Sequence, residues 1–175
     1  MSAPARTSTR RTKYEPYSGP VTTNTEPDTS RLAPPARQVV HTEVTEQPID
    51  VSTHTAAVAG SSSGAVVSFA GVVRDHDDGR AVTSIEYVAH PTAAAVLARV
   101  VAEVTAQSQA EAVAVSHRLG PLAVGEAALV VAVAGVHRAE AFATAMQLVD
   151  EVKRQLPVWK RQVFPDGSDE WVDCP

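Results

Sequence analysis

The order of short aliphatic runs and longer amphipathic stretches constrains the fold of this chain more than any other feature of its 175 residues. The two kinds of segment alternate without a regular strand-helix-strand repeat, and turns join several of the runs directly. We therefore expect an α+β domain, with a mixed, largely antiparallel sheet packed with two main helices. The strand-length apolar runs lie at 65–73, 82–88, 112–116, 127–134 and 158–164.

Two segments have the spacing of an amphipathic helix. The first covers about 91–108, where a proline is placed to open the helix and a stripe of valine and leucine follows. The second covers about 137–155, and we expect it to bury Phe142 and Met146 together with its smaller apolar residues. Pro157 prevents this helix from continuing into the last long strand.

Residues 1–40 differ in composition from the rest of the chain. They hold six of the 12 prolines and many serines and threonines, with six of the 15 basic residues but only three of the 20 acidic ones. Such a segment buries too little apolar surface to offset the entropy lost on ordering. We therefore predict a disordered, basic tail rich in Pro, Ser and Thr over 1–40, followed by one folded domain over 41–175.

The remaining chain carries nine basic and seventeen acidic residues, which is a poor match for nucleic acid phosphates. No apolar run approaches the roughly 18 residues of a membrane-spanning helix. Cys174 is the single cysteine, which excludes an internal disulfide and favours a reducing compartment. The histidines are scattered without metal-ligand spacing. We thus expect a cytoplasmic protein with no nucleic acid or membrane partner, no metal and no cofactor.

Four of these nine basic residues lie within 153–161. Lys153 falls in the last turn of the second predicted helix and Lys160 in the following strand, so the sharp exit at Pro157 could bring both to one pocket. A lysine beside other cations, or partly desolvated, can act as an acid, a base or a nucleophile. The alternative is a solvated basic segment in which Lys153 complements the helix dipole.

Cations also stand at the ends of other predicted elements. Arg74 ends a strand beside a glycine-containing loop, and His137 and Arg138 stand where the second helix begins, at N–H groups that favour an anion. Each of these also has a simpler explanation as a cap or a solvated charge. A turn likewise explains His117-Arg118, and the acidic loop at 75–78 is typical of a solvated turn. Together the cations indicate convergence on an anionic ligand.

Four blocks of sequence occur at 64–74, 117–126, 136–142 and 152–160. The most specific feature is Lys153-x6-Lys160 with Pro-x-Trp-Lys inside it. In order and spacing these blocks resemble the large, catalytic subunit of molybdopterin synthase, over about residues 49 to 173. The resemblance implies conversion of cyclic pyranopterin monophosphate (precursor Z) into molybdopterin by insertion of two dithiolene sulfurs.

The resemblance also implies partners. The sulfur would come from the C-terminal Gly-Gly thiocarboxylate of a small ubiquitin-like subunit, and two large subunits would form a homodimer within a heterotetramer. A non-catalytic dimeric module that binds a ubiquitin-like tail or a small phosphorylated ligand is the alternative from a different class.

The family's pocket positions fall on seven residues of this chain. The resemblance implies that Lys153 is the principal catalytic lysine and that Lys160 stabilises charge and orients the pterin. His137 and Arg138 could serve the pocket of the neighbouring protomer. Gln162 stands where the family commonly has an acid. The implied substrate-binding residues are Phe69, Arg74, His137, Arg138 and Arg161.

Overall fold

The computed structural model describes residues 37–173. Most of the predicted tail and Cys174 lie outside the described residues. In chain order the elements are β1 (Gln38–Thr45), α1 (Val51–Val58), β2 (Ala65–Val72), β3 (His76–Asp77), β4 (Arg80–Ala81), β5 (Ser84–Ala89), α2 (Ala93–Gln107), β6 (Ala112–Arg118), β7 (Gly120–Ala123), β8 (Ala127–Gly135), α3 (Arg138–Gln155), β9 (Val158–Val163) and β10 (Asp169–Asp173).

Two four-stranded sheets organise the domain. The first has the order β1-β6-β8-β2, in which β1 runs parallel to β6 and the other pairs are antiparallel. The second has the order β10-β9-β5-β7 and is antiparallel throughout. β3 and β4 form a short hairpin whose turn residues, Asp78 and Gly79, both have positive φ. The predicted α+β fold with a mixed, largely antiparallel sheet is confirmed.

The central strands β6 and β8 are buried on both faces, so alternate residues contribute to different cores. Val113 and Val115 face α2 and α3 in the main core. Ala114 and Ala132 face the other side, where they pack with Val58 of α1. Alanines on that side allow the short helix to approach the sheet closely. The main core thus holds α3 firmly against the first sheet, which fixes the position of its C-terminal end.

The two long helices lie where the sequence predicts them, but α3 buries a different face. Phe142 and Met146 are 62% and 66% exposed, so the prediction that the helix buries them is wrong. Periodicity does not distinguish this apolar stripe from its neighbour, because both repeat at helical spacing. The stripe that packs against the sheet is shifted by one position and consists of Ala141, Thr144, Ala145, Leu148 and Val152.

β1 and β7 are among the strands that have no counterpart in the predicted set. β1 begins at Gln38, slightly before the predicted start of the domain, and pairs with β6 as an edge strand whose residues are mostly exposed. β7 lies between the strands predicted at 112–116 and 127–134, and it pairs with β5. Both strands are held largely by backbone hydrogen bonds to one neighbour, which leave little trace in the hydropathy pattern.

Candidate functional site

The reversal between α3 and β9 places Lys153 and Lys160 beside the same cavity. The helix ends just before Leu156, whose backbone is already extended (φ −70°, ψ 119°). Pro157 lacks an N–H, so it cannot continue the helix, and its carbonyl accepts a hydrogen bond from the His90 N–H at 3.0 Å. The chain therefore turns directly into β9, as the proline led us to expect.

The cavity has two adjoining parts. The larger part, here called the apolar chamber, has a volume of about 420 Å³. The smaller part, here called the charged chamber, has a volume of about 160 Å³ and includes Arg74, His76 and Asp77. Both chambers are lined by Val72, Tyr87, Lys153 and Lys160, so the two lysines stand at their junction. Aliphatic side chains dominate the apolar chamber, among them Leu129, Val152, Leu156 and Val158.

Asp77 connects the cations of the charged chamber. Its Oδ1 accepts a hydrogen bond from Arg74 Nη2 at 2.7 Å, and its Oδ2 accepts one from Lys160 Nζ at 3.2 Å. Oδ2 also accepts from the side-chain amide of Gln162. The hydrogen bonds from Gln162 and Lys160 lower the pKa of Asp77 below its usual value. The group is therefore a carboxylate at neutral pH, flanked by two cations.

Lys153 differs from Lys160 in its surroundings. The Lys160 side chain is only 20% exposed and forms an ion pair with Asp77. Lys153 is exposed, and within residues 37–173 it forms no hydrogen bond or ion pair. One lysine at the junction is thus held in place, while the ammonium group of the other is available to a bound molecule.

His117 forms part of the wall of the apolar chamber. It is 8% exposed, and its ring meets that of Tyr87 edge to face, with 5.2 Å between the centroids. Burial lowers the pKa of His117 to about 4, although a hydrogen bond between Nδ1 and the Arg118 carbonyl opposes the shift. The imidazole is therefore neutral at neutral pH, and Nδ1 carries the proton.

The sequence patterns alone do not indicate that Asp77 and His117 belong to the site. The acidic loop that contains Asp77 is typical of a solvated turn, and the one signal of a pair is its position three residues after Arg74. His117 was explained by a strand end, although alternation along β6 places it on the same face as Val113 and Val115, which is the face toward α3.

Two predicted binding residues lie near the cavity without lining it. Phe69 is partly buried and packs against the main core, close to Gly71 of the apolar chamber. Arg161 follows Lys160 in β9, and its side chain forms ion pairs with Glu86 and Asp169. Successive strand residues point to opposite faces, so Arg161 is directed away from the chambers.

His137 and Arg138 are exposed at the other end of α3. His137 is the N-cap residue, and its backbone N–H donates to Glu140 Oε2 at 3.2 Å. Arg138 and Lys153 are separated by about 22 Å along the helix, at 1.5 Å per residue. Within one chain, the structure brings Arg74, Lys153 and Lys160 together but leaves His137 and Arg138 apart from them.

The arrangement defines an α+β domain with a cationic cavity, in which an apolar chamber adjoins a charged one suited to a small anion. Among the described residues, no group of three or more His, Cys, Asp or Glu side chains is placed to hold a metal ion. No helix within 37–173 is long and apolar enough to cross a membrane.

Comparisons with known proteins agree with this class. The family model described as MoaE protein matches residues 44–155. The chain is 38% identical to molybdopterin synthase catalytic subunit 1 of Mycobacterium tuberculosis, over 74% of this chain and 88% of that protein. It is 33% identical to the molybdopterin synthase catalytic subunit of Bacillus subtilis, over 74% of this chain and 83% of the relative.

Solved structures show the same fold. Molybdopterin synthase from Staphylococcus aureus superposes with a TM-score of 0.69 at 28% identity, over 75% of this chain and 96% of that one. A chain from a complex of subunits 1 and 2 of the molybdopterin-converting factor of Helicobacter pylori shares the fold, with a TM-score of 0.61 at 14% identity and with 75% and 90% of the chains covered. The chain belongs to the MoaE protein family, which confirms the resemblance seen in the sequence.

Proposed function

We propose that this chain is the catalytic subunit of a molybdopterin synthase, a cytoplasmic sulfurtransferase that converts precursor Z into molybdopterin. The observation that carries this proposal is the convergence of Lys153, Lys160 and Arg74 on one cavity in a member of this family. The alternative, a non-catalytic binding module, needs cations but does not need two lysines at the junction of the chambers.

The charges of the reactants fit the cavity. Precursor Z carries a cyclic phosphate, and the sulfur donor is a thiocarboxylate at the C-terminal Gly-Gly of a small ubiquitin-like subunit. Both groups are anionic, and the thiocarboxylate must reach the carbon of the bound pterin that receives sulfur. The junction of the chambers offers two lysines to them, and Arg74 adds a guanidinium that can bind phosphate in the charged chamber.

The two lysines have different roles in this proposal. Lys153 is unpaired among the described residues, so it can exchange a proton with the substrate, or its amine can attack the thioester that joins the partner's tail to the pterin. That attack breaks the C–S bond, leaves the sulfur on the pterin and forms a transient amide with the tail, which water then hydrolyses. Lys160 is fixed by Asp77 and serves as a stationary positive charge that stabilises negative charge and orients the pterin.

The exposed end of α3 fits an assembly in which two copies of this chain pair. Phe142 and Met146 are large apolar side chains, exposed one and two turns after the N-terminus of the helix, and a second copy could cover them. His137 and Arg138 would then contribute to the neighbouring protomer's pocket and help to bind the substrate phosphate. With one small subunit on each large one, the assembly is a heterotetramer.

Replacement of Lys153 by alanine tests the proposal. With precursor Z and a thiocarboxylated small subunit, we expect Lys153→Ala to reduce molybdopterin formation by about 10²–10⁴-fold, the usual contribution of a group that transfers protons. Mass spectrometry of the pterin, together with the loss of sulfur from the small subunit, measures the reaction. Binding of the small subunit should survive.

Arg154→Ala is the matched control, because Arg154 is the exposed neighbour on the same helix turn and pairs with Glu151. Its activity should remain close to wild type. Lys153→Arg keeps the charge but not the proton chemistry, so it should also be inactive. Full turnover by Lys153→Arg would contradict the proposed role of Lys153, whereas a wild-type chain that binds the ligands but forms no molybdopterin would favour the binding module.

A further inference from the structure

The hairpin formed by β3 and β4 brings a carboxylate into a chamber that otherwise collects cations. Asp77 uses both of its oxygens there, Oδ1 for Arg74 and Oδ2 for Lys160. The Asp77 side chain is 25% exposed and that of Lys160 20%, whereas Arg74 remains 63% exposed. An acidic side chain between two substrate-binding cations requires an explanation, because it should repel an anionic ligand.

We propose that Asp77 is a positioning residue of this site, which fixes Lys160 and Arg74 in the arrangement that binds an anionic substrate and leaves Lys153 unpaired. The identity of the substrate rests on the proposed function. The proposal assigns Asp77 a role through the two cations and not through contact with the reacting atoms.

Gln162 holds the Asp77 carboxylate in place through a buried hydrogen bond. Its side chain is 3% exposed, and its amide nitrogen donates to Asp77 Oδ2. If a bound anion displaced Asp77, this buried amide would lose its acceptor among the described residues, and an unmade buried hydrogen bond is costly. The carboxylate is therefore held in place and does not act as a plug that the substrate expels.

The two cations keep enough donors to bind a ligand while they contact Asp77. A lysine ammonium has three N–H donors and an arginine guanidinium five, and each cation uses one on Asp77 here. Long side chains lose rotamer freedom when a ligand orders them, and Asp77 orders these two before the ligand arrives. Preorganisation thus offsets the repulsion from one negative charge.

Positioning and repulsion can be distinguished by whether a substitution that removes the charge of Asp77 raises or lowers the affinity for an anion. Removing a nearby carboxylate should strengthen anion binding if Coulomb repulsion dominates, and weaken it if positioning dominates. We expect Asp77→Asn to weaken the binding of inorganic pyrophosphate, measured by isothermal titration at fixed ionic strength, by about tenfold, which is the size of one lost charge-assisted hydrogen bond. Asp77→Glu, which retains the carboxylate, should recover part of the affinity.

Asp78→Asn is the matched control. It removes the same charge from the same hairpin, and asparagine tolerates the positive φ of 46° at this position. Asp78 does not line either chamber. We expect its pyrophosphate affinity to equal or slightly exceed that of the wild type. In turnover with precursor Z, Asp77→Asn should raise KM more than it lowers kcat.

Unchanged or tighter pyrophosphate binding by Asp77→Asn would overturn the proposal. If that variant does not fold, Gln162→Leu removes the anchor and retains the carboxylate, and it should weaken binding in the same direction; unchanged affinity would count equally against the proposal. The proposed function fails separately, if the wild-type chain binds pyrophosphate in an Asp77-dependent manner but forms no molybdopterin from precursor Z and the thiocarboxylated subunit.

Discussion

The two ends of α3 carry similar residues in different surroundings. At the C-terminal end, Lys153 and Lys160 lie beside the same cavity. The carboxylate of Asp77 forms an ion pair with Lys160 there. At the N-terminal end, His137 and Arg138 are exposed, and neither lines the cavity. A rigid helix keeps Arg138 and Lys153 about 22 Å apart, so the two ends cannot serve one pocket within one chain.

The two ends of α3 differ in whether the site beside them is formed by a single chain. The C-terminal end has a cavity and its own cations, and it is organised within one chain. The N-terminal end has cations and exposed apolar side chains that line neither chamber, as expected of a surface that completes a site on another copy. Evidence that the N-terminal cations act within their own chain would contradict this interpretation.

Subunit complementation tests this point and has the largest expected effect. We expect Lys153→Ala and Arg138→Ala each to be strongly impaired alone. In a mixed dimer, one of the two sites receives an intact Lys153 from one protomer and an intact Arg138 from the other. A random equal mixture should therefore recover about a quarter of wild-type activity, since half of the dimers are mixed and each has one intact site. Molybdopterin formation after co-refolding measures the recovery.

The control for complementation is each variant co-refolded with itself, which should stay inactive. Absence of recovery in the mixture, when mixed dimers are shown to form by tag exchange, would mean that Arg138 acts in its own chain. Wild-type activity of Arg138→Ala alone would mean that Arg138 has no role in the reaction.

The residues of α3 also show how much of the fold and of the site can be predicted from the sequence. The strong periodicity of α2 and α3 and the proline after α3 sufficed to locate both helices and to place the two lysines near each other. Periodicity did not decide which of two adjacent stripes of α3 is buried, because that depends on where the sheet lies. Asp77 was missed for a related reason, since its partners Lys160 and Gln162 lie more than 80 positions away in the chain.

Disruption of the apolar surface on α3 should have the next largest effect. We expect Met146→Glu, which places a charge on a side chain that is 66% exposed, to raise the dissociation constant of the large-subunit dimer by at least about 100-fold, because a charge would be buried without a partner. Sedimentation equilibrium measures it. Gln147→Glu, at the next exposed position, introduces the same charge outside the apolar stripe and should leave the dimer intact. Equal dimerisation of both variants would place the interface elsewhere.

The C-terminal end of α3 and the neutral His117 line the same chamber. The burial of this histidine gives a pH-dependent prediction. The unfolded chain protonates His117 near its ordinary pKa of 6.5, whereas the folded chain resists protonation down to a pKa of about 4. The contribution to stability is therefore complete above pH 6.5 and is lost as the pH falls toward 4. From the size of this shift we expect a loss of roughly 3 kcal/mol in the free energy of unfolding across that window.

His117→Asn should remove this pH dependence, because asparagine does not titrate but can still donate to the Arg118 carbonyl. Urea unfolding at several pH values between 4 and 7 measures the slope, and the difference between wild type and variant cancels the contribution of the carboxylates. A wild-type slope that persists in the variant would assign the dependence to other groups.

The smallest effect is expected at Arg161, which adjoins Lys160 in sequence but lies on the other face of β9. Arg161 Nε donates to Glu86 Oε2 at 2.9 Å, and the side chain is 38% exposed. A partly exposed ion pair of this kind contributes about 0–1 kcal/mol to stability. We therefore expect Arg161→Ala to leave KM for precursor Z within about twofold of wild type and to lower the free energy of unfolding by less than about 1 kcal/mol.

Steady-state kinetics of Arg161→Ala and Lys160→Ala measures the contrast. Lys160→Ala removes a side chain from the junction of the chambers and should clearly raise KM for precursor Z. If both variants lost the same catalytic efficiency, strand alternation would not decide which cations of β9 reach the substrate, and Arg161 would have to turn toward the chamber when the substrate binds.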